Sequence, residues 1–149
     1  MILGDPRNAQ KAAGAHAGAR TTLDNVFRHA AARRPDALAI ADPPNRAHFT
    51  DGPTRRLTFA EADRIVSAIA GRLRRIGLQT DSVIGIQLPN TVECVLTILG
   101  VLRAGMIAVP LPLLWRHADA TMALNRVGAK AIITASRIGD VDHCDLAMQ

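Results

Sequence analysis

Residues 83–134 read VIGIQLPNTVECVLTILGVLRAGMIAVPLPLLWRHADATMALNRVGAKAIIT, and their reading decides the fold. Val83 to Leu88 is rich in β-branched residues and lies between the turn signals Thr80-Asp81-Ser82 and Pro89-Asn90, which predicts a buried strand. Asn90 is expected to cap the helix that follows, with Glu93 three residues on. That helix runs to about Ala104, is apolar almost all round and is therefore expected to be buried on more than one side; Gly105 ends it. Ile107 to Val109 is a second strand, running into Pro110 and Pro112. His117 to Val127 is a further helix closed by Gly128, and Ala131 to Thr134 a third strand. Strand, helix, strand, helix, strand with short connections predicts an α/β fold: a parallel sheet with right-handed crossover helices.

Upstream, Thr58-Phe59-Ala60-Glu61 has the form of a capping box, in which the Thr58 hydroxyl and the Glu61 carboxylate each accept from the other residue's backbone N–H. The helix it opens carries Phe59, Ala62, Ile65, Val66, Ile69, Leu73 and Ile76 at helical spacing. Arg64, Arg72 and Arg75 fall largely off that stripe, and Gly77 supplies a left-handed terminus. An earlier helix starts at Thr21 or Thr22 with Asp24 at the positive end of its dipole; Leu23, Val26, Phe27 and Ala30 form its apolar face and Pro35 ends it. Leu38 to Ala41 reads as a short strand and residues 42–56 as a loop or loose hairpin.

The 149 residues fit one domain; 48% are apolar and 21% charged, which places the chain among folded globular proteins. The net charge of +5 raises the question of nucleic acid. Arg55–Arg56 and Arg72, Arg74, Arg75 form only small basic clusters, there is no Tyr, and the three Phe and one Trp are not interleaved with them as stacking platforms, so no nucleic-acid partner is expected. Cys94 and Cys144 have no CxxC spacing and no His at ligand spacing; Cys94 reads as a small buried hydrophobe and Cys144 as an exposed thiol, which fits a reducing cytoplasm. The N-terminal stretch lacks the apolar core of a signal peptide, because Asp5, Arg7, Lys11 and glycines interrupt it. Gly105, Pro110 and Pro112 break the apolar run Val95–Trp115, so no membrane span is expected.

Ligands in open parallel sheets bind beyond the carboxyl ends of the strands, which singles out Leu88-Pro89-Asn90-Thr91 at a helix N-terminus. It contains neither GxGxxG nor GxxxxGK[ST], and an ordinary helix cap is favoured over a phosphate cradle. The histidines His16, His29, His48, His117 and His143 are scattered, without a nucleophile or carboxylate at a known catalytic spacing, and are read as surface residues. Asp140, Asp142 and Asp145 with His143 are read as a solvated polar tail rather than a cation site, and Trp115 as a packed residue. No catalytic, cofactor-binding or metal-binding residue is assigned.

Ordered pieces of this sequence resemble the acyl-adenylate-forming enzymes, the family of AMP-forming acyl-CoA synthetases, peptide-synthetase adenylation domains and luciferases. LTFAEADRIVSAIAGRLRRIGL is similar to its "TY-x-E-L…A…L…G" helix, VIGIQLPNTVECVLTILGVLRAGMIAVPL to its "V-x-I-x-L-P-N-S" core ending in "A-G-x-V-x-x-P-L", and GAKAIIT to its "GAK-x-x-I-T". The wording from Pro110 to Thr134 is most similar to the acyl-CoA synthetases. Residues 1–20, by their composition, read as a flexible leader; the resemblance implies 21–135 as the N-terminal α/β subdomain of the family's large domain and 136–149 as a truncated tail. Family members activate a carboxylic acid through acyl-AMP, and the synthetases pass the acyl group to CoA, so ATP, magnesium and CoA are implied for a full-length enzyme. The family's Ser/Thr/Gly-rich loop ending in Pro-Lys-Gly, its later nucleotide and magnesium motifs and its C-terminal lysine do not occur between Met1 and Gln149.

The resemblance therefore predicts the N-terminal piece of an acyl-CoA synthetase, inactive alone, whose partner is the remainder of the synthetase or a second copy. The alternative is a free-standing scaffold for protein association. The acid substrate is not legible. If about 400 Å² of apolar surface lies bare, then at ~25 cal/mol/Å² the deficit is ~10 kcal/mol, comparable to the stability of a whole domain. The isolated chain is thus expected to be marginal and association-prone; its apparent Tm should change with protein concentration, and a sharp, concentration-independent monomer transition would contradict this.

Overall fold

A computed structural model describes residues 21–143. Helix α1 (Leu23–Arg33) leads into strand β1 (Leu38–Ala41), a 3-10 turn (Arg46–His48) and strand β2 (Arg56–Thr58). Then follow α2 (Phe59–Arg75), β3 (Val83–Gln87), α3 (Val92–Arg103), β4 (Ile107–Pro110), α4 (His117–Arg126), β5 (Ala131–Thr134), β6 (Arg137–Ile138) and β7 (Val141–Asp142). The expected α/β architecture with a parallel sheet is present: β3 lies between β4 and β5, parallel to both. β1–β2 and β6–β7 are separate antiparallel pairs.

Strand alternation sorts the layers. Ile84 and Ile86 point into a core built with Ala70 and Leu73 of α2, Val101 of α3, and Ala104 and Met106 beyond it. Gly85 faces the other way, under Leu124 of α4. The crossover from β3 to β4 and the one from β4 back past β3 to β5 run in opposite directions across the sheet, which places α3 and α4 on opposite faces, as a common right hand requires. A second core joins Ala62 and Val66 of α2 to Val92, Leu96 and Leu99 of α3, with Phe27, Ile40 and Leu57 packed against it.

The capping box at α2 is formed: Thr58 Oγ1 accepts from the Glu61 N–H, and Glu61 Oε2 accepts from the Thr58 N–H at 2.8 Å. Gly77, at φ 93°, closes the helix as expected. Thr22 caps α1 by accepting from the Asn25 N–H. The expected apolar face of α1 needs correction. Phe27 packs beside Phe59, with ring centroids 5.8 Å apart, but Leu23 and Val26 are exposed and Asp24 is buried instead. The cause is Arg103 of α3, whose guanidinium reaches Asp24 and Asp63 at 2.7 Å and the Ser67 hydroxyl at 2.7 Å, so a charged contact orients α1.

Two segments read as irregular are organised. Within residues 42–56, Arg56 begins β2, which pairs with β1 through Ile40–Leu57 and Ala41–Arg56. The polar tail beyond Ala135 begins with the β6–β7 hairpin, tied to the earlier loop by Thr50 Oγ1 donating to the Arg137 carbonyl and the Gly139 N–H to the Phe49 carbonyl. The expected leader, residues 1–20, and the end of the tail, residues 144–149, lie outside the described residues.

Helices α2 and α3 cross closely at Gly100. A Cβ there would strike Ile69, whose β-branched side chain has little rotamer freedom. A Cβ on Gly71, in the same helix as Ile69, would meet open space. The two glycines therefore predict opposite signs: Gly100→Ala should destabilise by about 1–3 kcal/mol through overpacking, and Gly71→Ala should stabilise by about 0.5–1 kcal/mol through helix propensity. Urea unfolding of the two variants beside the parent chain checks both.

Candidate functional site

A cleft of about 320 Å³ opens at the carboxyl ends of β3 and β5, the place where parallel sheets bind ligands. Leu88, Pro89 and Thr91 form one wall, Ile133 to Ser136 another, and Arg46, Thr50 and Asp51 a third contributed by the loop between β1 and β2. Glu93 and Thr97 of α3 complete it. The loop Leu88–Thr91, singled out from sequence, does border the cleft.

Its helix cap is not the expected one. Asn90 is exposed and lies outside α3; Thr91 is the N-cap and makes no side-chain capping bond. Asp42, fifty residues upstream, does that work: its Oδ1 accepts from the Val92 N–H at 2.8 Å. Its Oδ2 accepts from the Arg55 N–H at 2.8 Å and from Arg46 Nη1 at 2.7 Å. The carboxylate, 8% exposed as a residue, thus joins the β1–β2 loop to the positive end of the α3 dipole. A carboxylate of the chain itself occupies the anion position of this helix terminus, which fits the favoured reading of a cap rather than a phosphate cradle.

Arg46 is equally committed. Nη1 donates to both Asp42 Oδ2 and Glu93 Oε2 at 2.7 Å, while Nε and Nη2 donate to the Asp51 carbonyl at 3.3 and 2.8 Å. Glu93 first, then Asp42, hold its guanidinium charged against the opposing effect of burial. Burial alone would raise the Asp42 pKa, but the N–H groups of Val92 and Arg55 and the Arg46 guanidinium together set it below the ordinary 3.8. Burial opposes ionisation of Glu93 too, and Arg46, its own backbone N–H and Thr91 together outweigh it. Apart from the Asp51 carboxylate, which pairs with Arg137 at 2.8 Å, what remains in the cleft is hydroxyl-bearing and apolar. Thr134 donates to the Gln87 carbonyl at 3.0 Å and Thr91 to the Pro89 carbonyl at 3.4 Å. The arrangement offers shape and hydrogen-bonding edges, with its buried cation already neutralised.

On the opposite face of β3, Gln87 gathers the end of the sheet. Its Nε2 donates to the carbonyls of Pro112 and Trp115 at 2.9 and 3.0 Å, and its Oε1 lies 3.3 Å from His143 Nδ1. His143, read as a surface residue, is 2% exposed; burial first, then the charge of Arg116, lower its pKa, with Asp142 opposing. The tail reading is corrected at this position because the β6–β7 hairpin turns the ring inward. Trp115 is half-buried, consistent with packing. His29 and His48 are exposed and His117 half-buried, in three different elements. Asp140 and Asp142 are exposed, and no group of three metal-ligating side chains occurs among the described residues. His16, Cys144 and Asp145 lie outside them. Cys94 is partly buried, and burial raises its thiol pKa, which lowers its reactivity. No described helix is long and apolar enough to cross a membrane.

The profile of the family described as "AMP-binding enzyme" matches residues 27–148. Among curated relatives, tyrocidine synthase 1 of Brevibacillus parabrevis is 28% identical over 122 residues, which cover 82% of this chain and 10% of that protein. Long-chain fatty acid transport protein 1 of Bos taurus is 30% identical over 118 residues, covering 79% and 17%. The inhibitor-bound N-terminal domain of FACL13 from Mycobacterium tuberculosis has the same fold at a TM-score of 0.68 and 21% identity, over 77% of this chain and 27% of that one. The Klebsiella oxytoca NpsA N-terminal subdomain in complex with anthranilyl-AMSN follows at 0.63 and 21%, over 75% and 27%. The chain therefore spans under a fifth of these curated relatives and about a quarter of these structures.

Removing the Asp42 carboxylate leaves the Val92 and Arg55 N–H groups without their acceptor and a buried guanidinium with one carboxylate fewer. Asp42→Ala is expected to destabilise by about 3 kcal/mol or more. The folded pKa of Asp42 is depressed, so its contribution is fully present above 3.8 and is lost as pH falls through the folded value. The stability gap between the parent chain and Asp42→Asn should accordingly shrink as pH drops below 3.8; denaturant titrations from pH 7 to pH 3 measure it.

Proposed function

The chain belongs to the AMP-binding enzyme family, and we propose that it is the N-terminal part of an enzyme that activates a carboxylic acid through acyl-AMP, of the acid–CoA ligase type and inactive by itself. The observation that carries this reading is the family match over residues 27–148 in a chain that spans only a small share of its relatives' length. Adenylation proceeds by attack of a carboxylate oxygen on the α-phosphorus of ATP, with pyrophosphate leaving. It depends on positioning and on neutralising phosphate charge. In the cleft the guanidinium of Arg46 is already held by Asp42, Glu93 and the Asp51 carbonyl, and Asp42 fills the helix terminus, so neither is free to meet a phosphate. In this reading the residues described here form a wall, and ATP, magnesium and CoA are held by the remainder of the enzyme. The ligase type rests on the resemblance of the Pro110–Thr134 wording to acyl-CoA synthetases; relatives of both kinds, a peptide synthetase and a fatty acid transport protein, match the chain.

ATP–pyrophosphate exchange with a panel of carboxylic acids tests the proposal. Exchange is expected from the gene's full reading frame, where that encodes a Thr/Ser-Gly-rich loop followed by Pro-Lys-Gly, and none from this chain alone. Exchange, or tight nucleotide binding, by the 149-residue chain would overturn it. Release of CoA thioester by the full frame separates the ligase reading from a peptide-synthetase one.

A further inference from the structure

Among the described residues four arginines are paired with carboxylates, and the rest, Arg64, Arg72 and Arg75 of α2 among them, are spread over several elements. The paired four are Arg46, Arg55, Arg103 and Arg137. Arg64, Arg72 and Arg75 of α2 are exposed, and among the described residues none of them has a carboxylate within ion-pair distance. At 100° per residue Glu61, Arg64, Ile65, Ala68, Arg72, Arg75 and Ile76 project within about 60° of one line along the outer side of the helix. Ala62, Val66, Ala70 and Leu73 occupy the opposite, buried side.

That outer stripe also carries aliphatic groups. Leu57, Ile65 and Ala68 floor an open groove of about 370 Å³ rimmed by Glu61 and Arg64, and Ile76 is 65% exposed at the far end. The single acid on the stripe, Glu61, is turned to the Thr58 N–H and hydroxyl as part of the capping box. The result is a strip roughly 22 Å long that combines three exposed guanidinium groups, of which Arg64 feels the nearby Glu61 carboxylate, with exposed aliphatic carbon.

We infer that this face of α2 is a contact surface for an anionic lipid bilayer. Guanidinium groups bind phosphate in a forked, bidentate way, and aliphatic side chains between them insert at the headgroup boundary, the two contributions that set interfacial binding. The stripe is the convex outer side of one helix, so a planar surface reaches all three arginines together. The Leu57–Ile65–Ala68 groove on it is lined by five residues near one end of the helix. The stripe has no aromatic residue on which a nucleic-acid base would stack.

Co-sedimentation of the 149-residue chain with phosphatidylcholine vesicles containing a quarter phosphatidylglycerol, beside pure phosphatidylcholine, reads the interaction. Binding is expected only to the anionic vesicles, and it should weaken as salt rises. The surface variant Arg64→Ala/Arg72→Ala/Arg75→Ala should bind roughly 100-fold more weakly, at about tenfold or less per arginine. Circular dichroism of that variant confirms that it is folded. Ile76→Ser should also weaken binding while leaving its salt dependence intact. Absence of binding to anionic vesicles, or equal binding by the folded triple variant, overturns the inference. Binding to an acidic peptide or duplex DNA as tight as to the vesicles, with no effect of Ile76→Ser, overturns it as well, because the aliphatic part of the strip would then be idle.

Discussion

The carboxylate of Asp42 is the contact on which the arrangement around the cleft depends. It ends β1, accepts from the first N–H of α3, and orients Arg46, which in turn holds the turn at Asp51 and the side chain of Glu93. Without it, the β1–β2 loop and the α3 terminus would each present buried polar groups to apolar surroundings, an arrangement that folded proteins avoid. A single buried acid thus fixes the relation between a hairpin and a helix that no local sequence signal connects. Arg103 does the same at the other end of α3, drawing α1 and α2 together through Asp24 and Asp63.

Between these two polar fastenings the packing is set by side-chain size. Gly100 lets α3 approach Ile69, and Gly85 lets α4 lie against β3. Ile84 and Ile86 fill the face toward α2 and α3, while the smaller Gly85 and the polar Gln87 leave the other face to one helix and the chain end. The family membership of the chain and its short span relative to its relatives fit this division. The described elements supply a layered scaffold whose charged groups are engaged with each other.

Much of this was legible in the sequence because it rests on local signals. Short apolar, β-branched runs between turn signals placed the strands at Val83, Ile107 and Ala131, and helical spacing and caps the helices between them, to within a residue or so; Thr58 with Glu61 marked α2 by chemistry confined to four residues. The loop at Leu88–Thr91 was also found, since topology alone points to the carboxyl ends of parallel strands. What sequence reading missed is non-local. Asn90 has the right residue type for a cap, but the Asp42 carboxylate reaches Val92 from fifty positions away, and the spacing of Asp42 and Arg46 in a segment without helical pattern gave little warning. His143 was misplaced for the same reason: its polar neighbours look solvated, and only the hairpin at Arg137–Asp142 turns it toward Gln87. The apolar spacing of Leu23 and Val26 was a true helix signal, yet the side of α1 that packs was chosen by Asp24 and Arg103.

The Gln87 amide has a mechanical consequence. One side chain meets the carbonyls of Pro112 and Trp115 on one hand and the His143 imidazole on the other, so the segment leading into α4 and the hairpin behind β5 are geared to a common pivot. Neither can shift outward alone without stripping partners from a group that water reaches poorly.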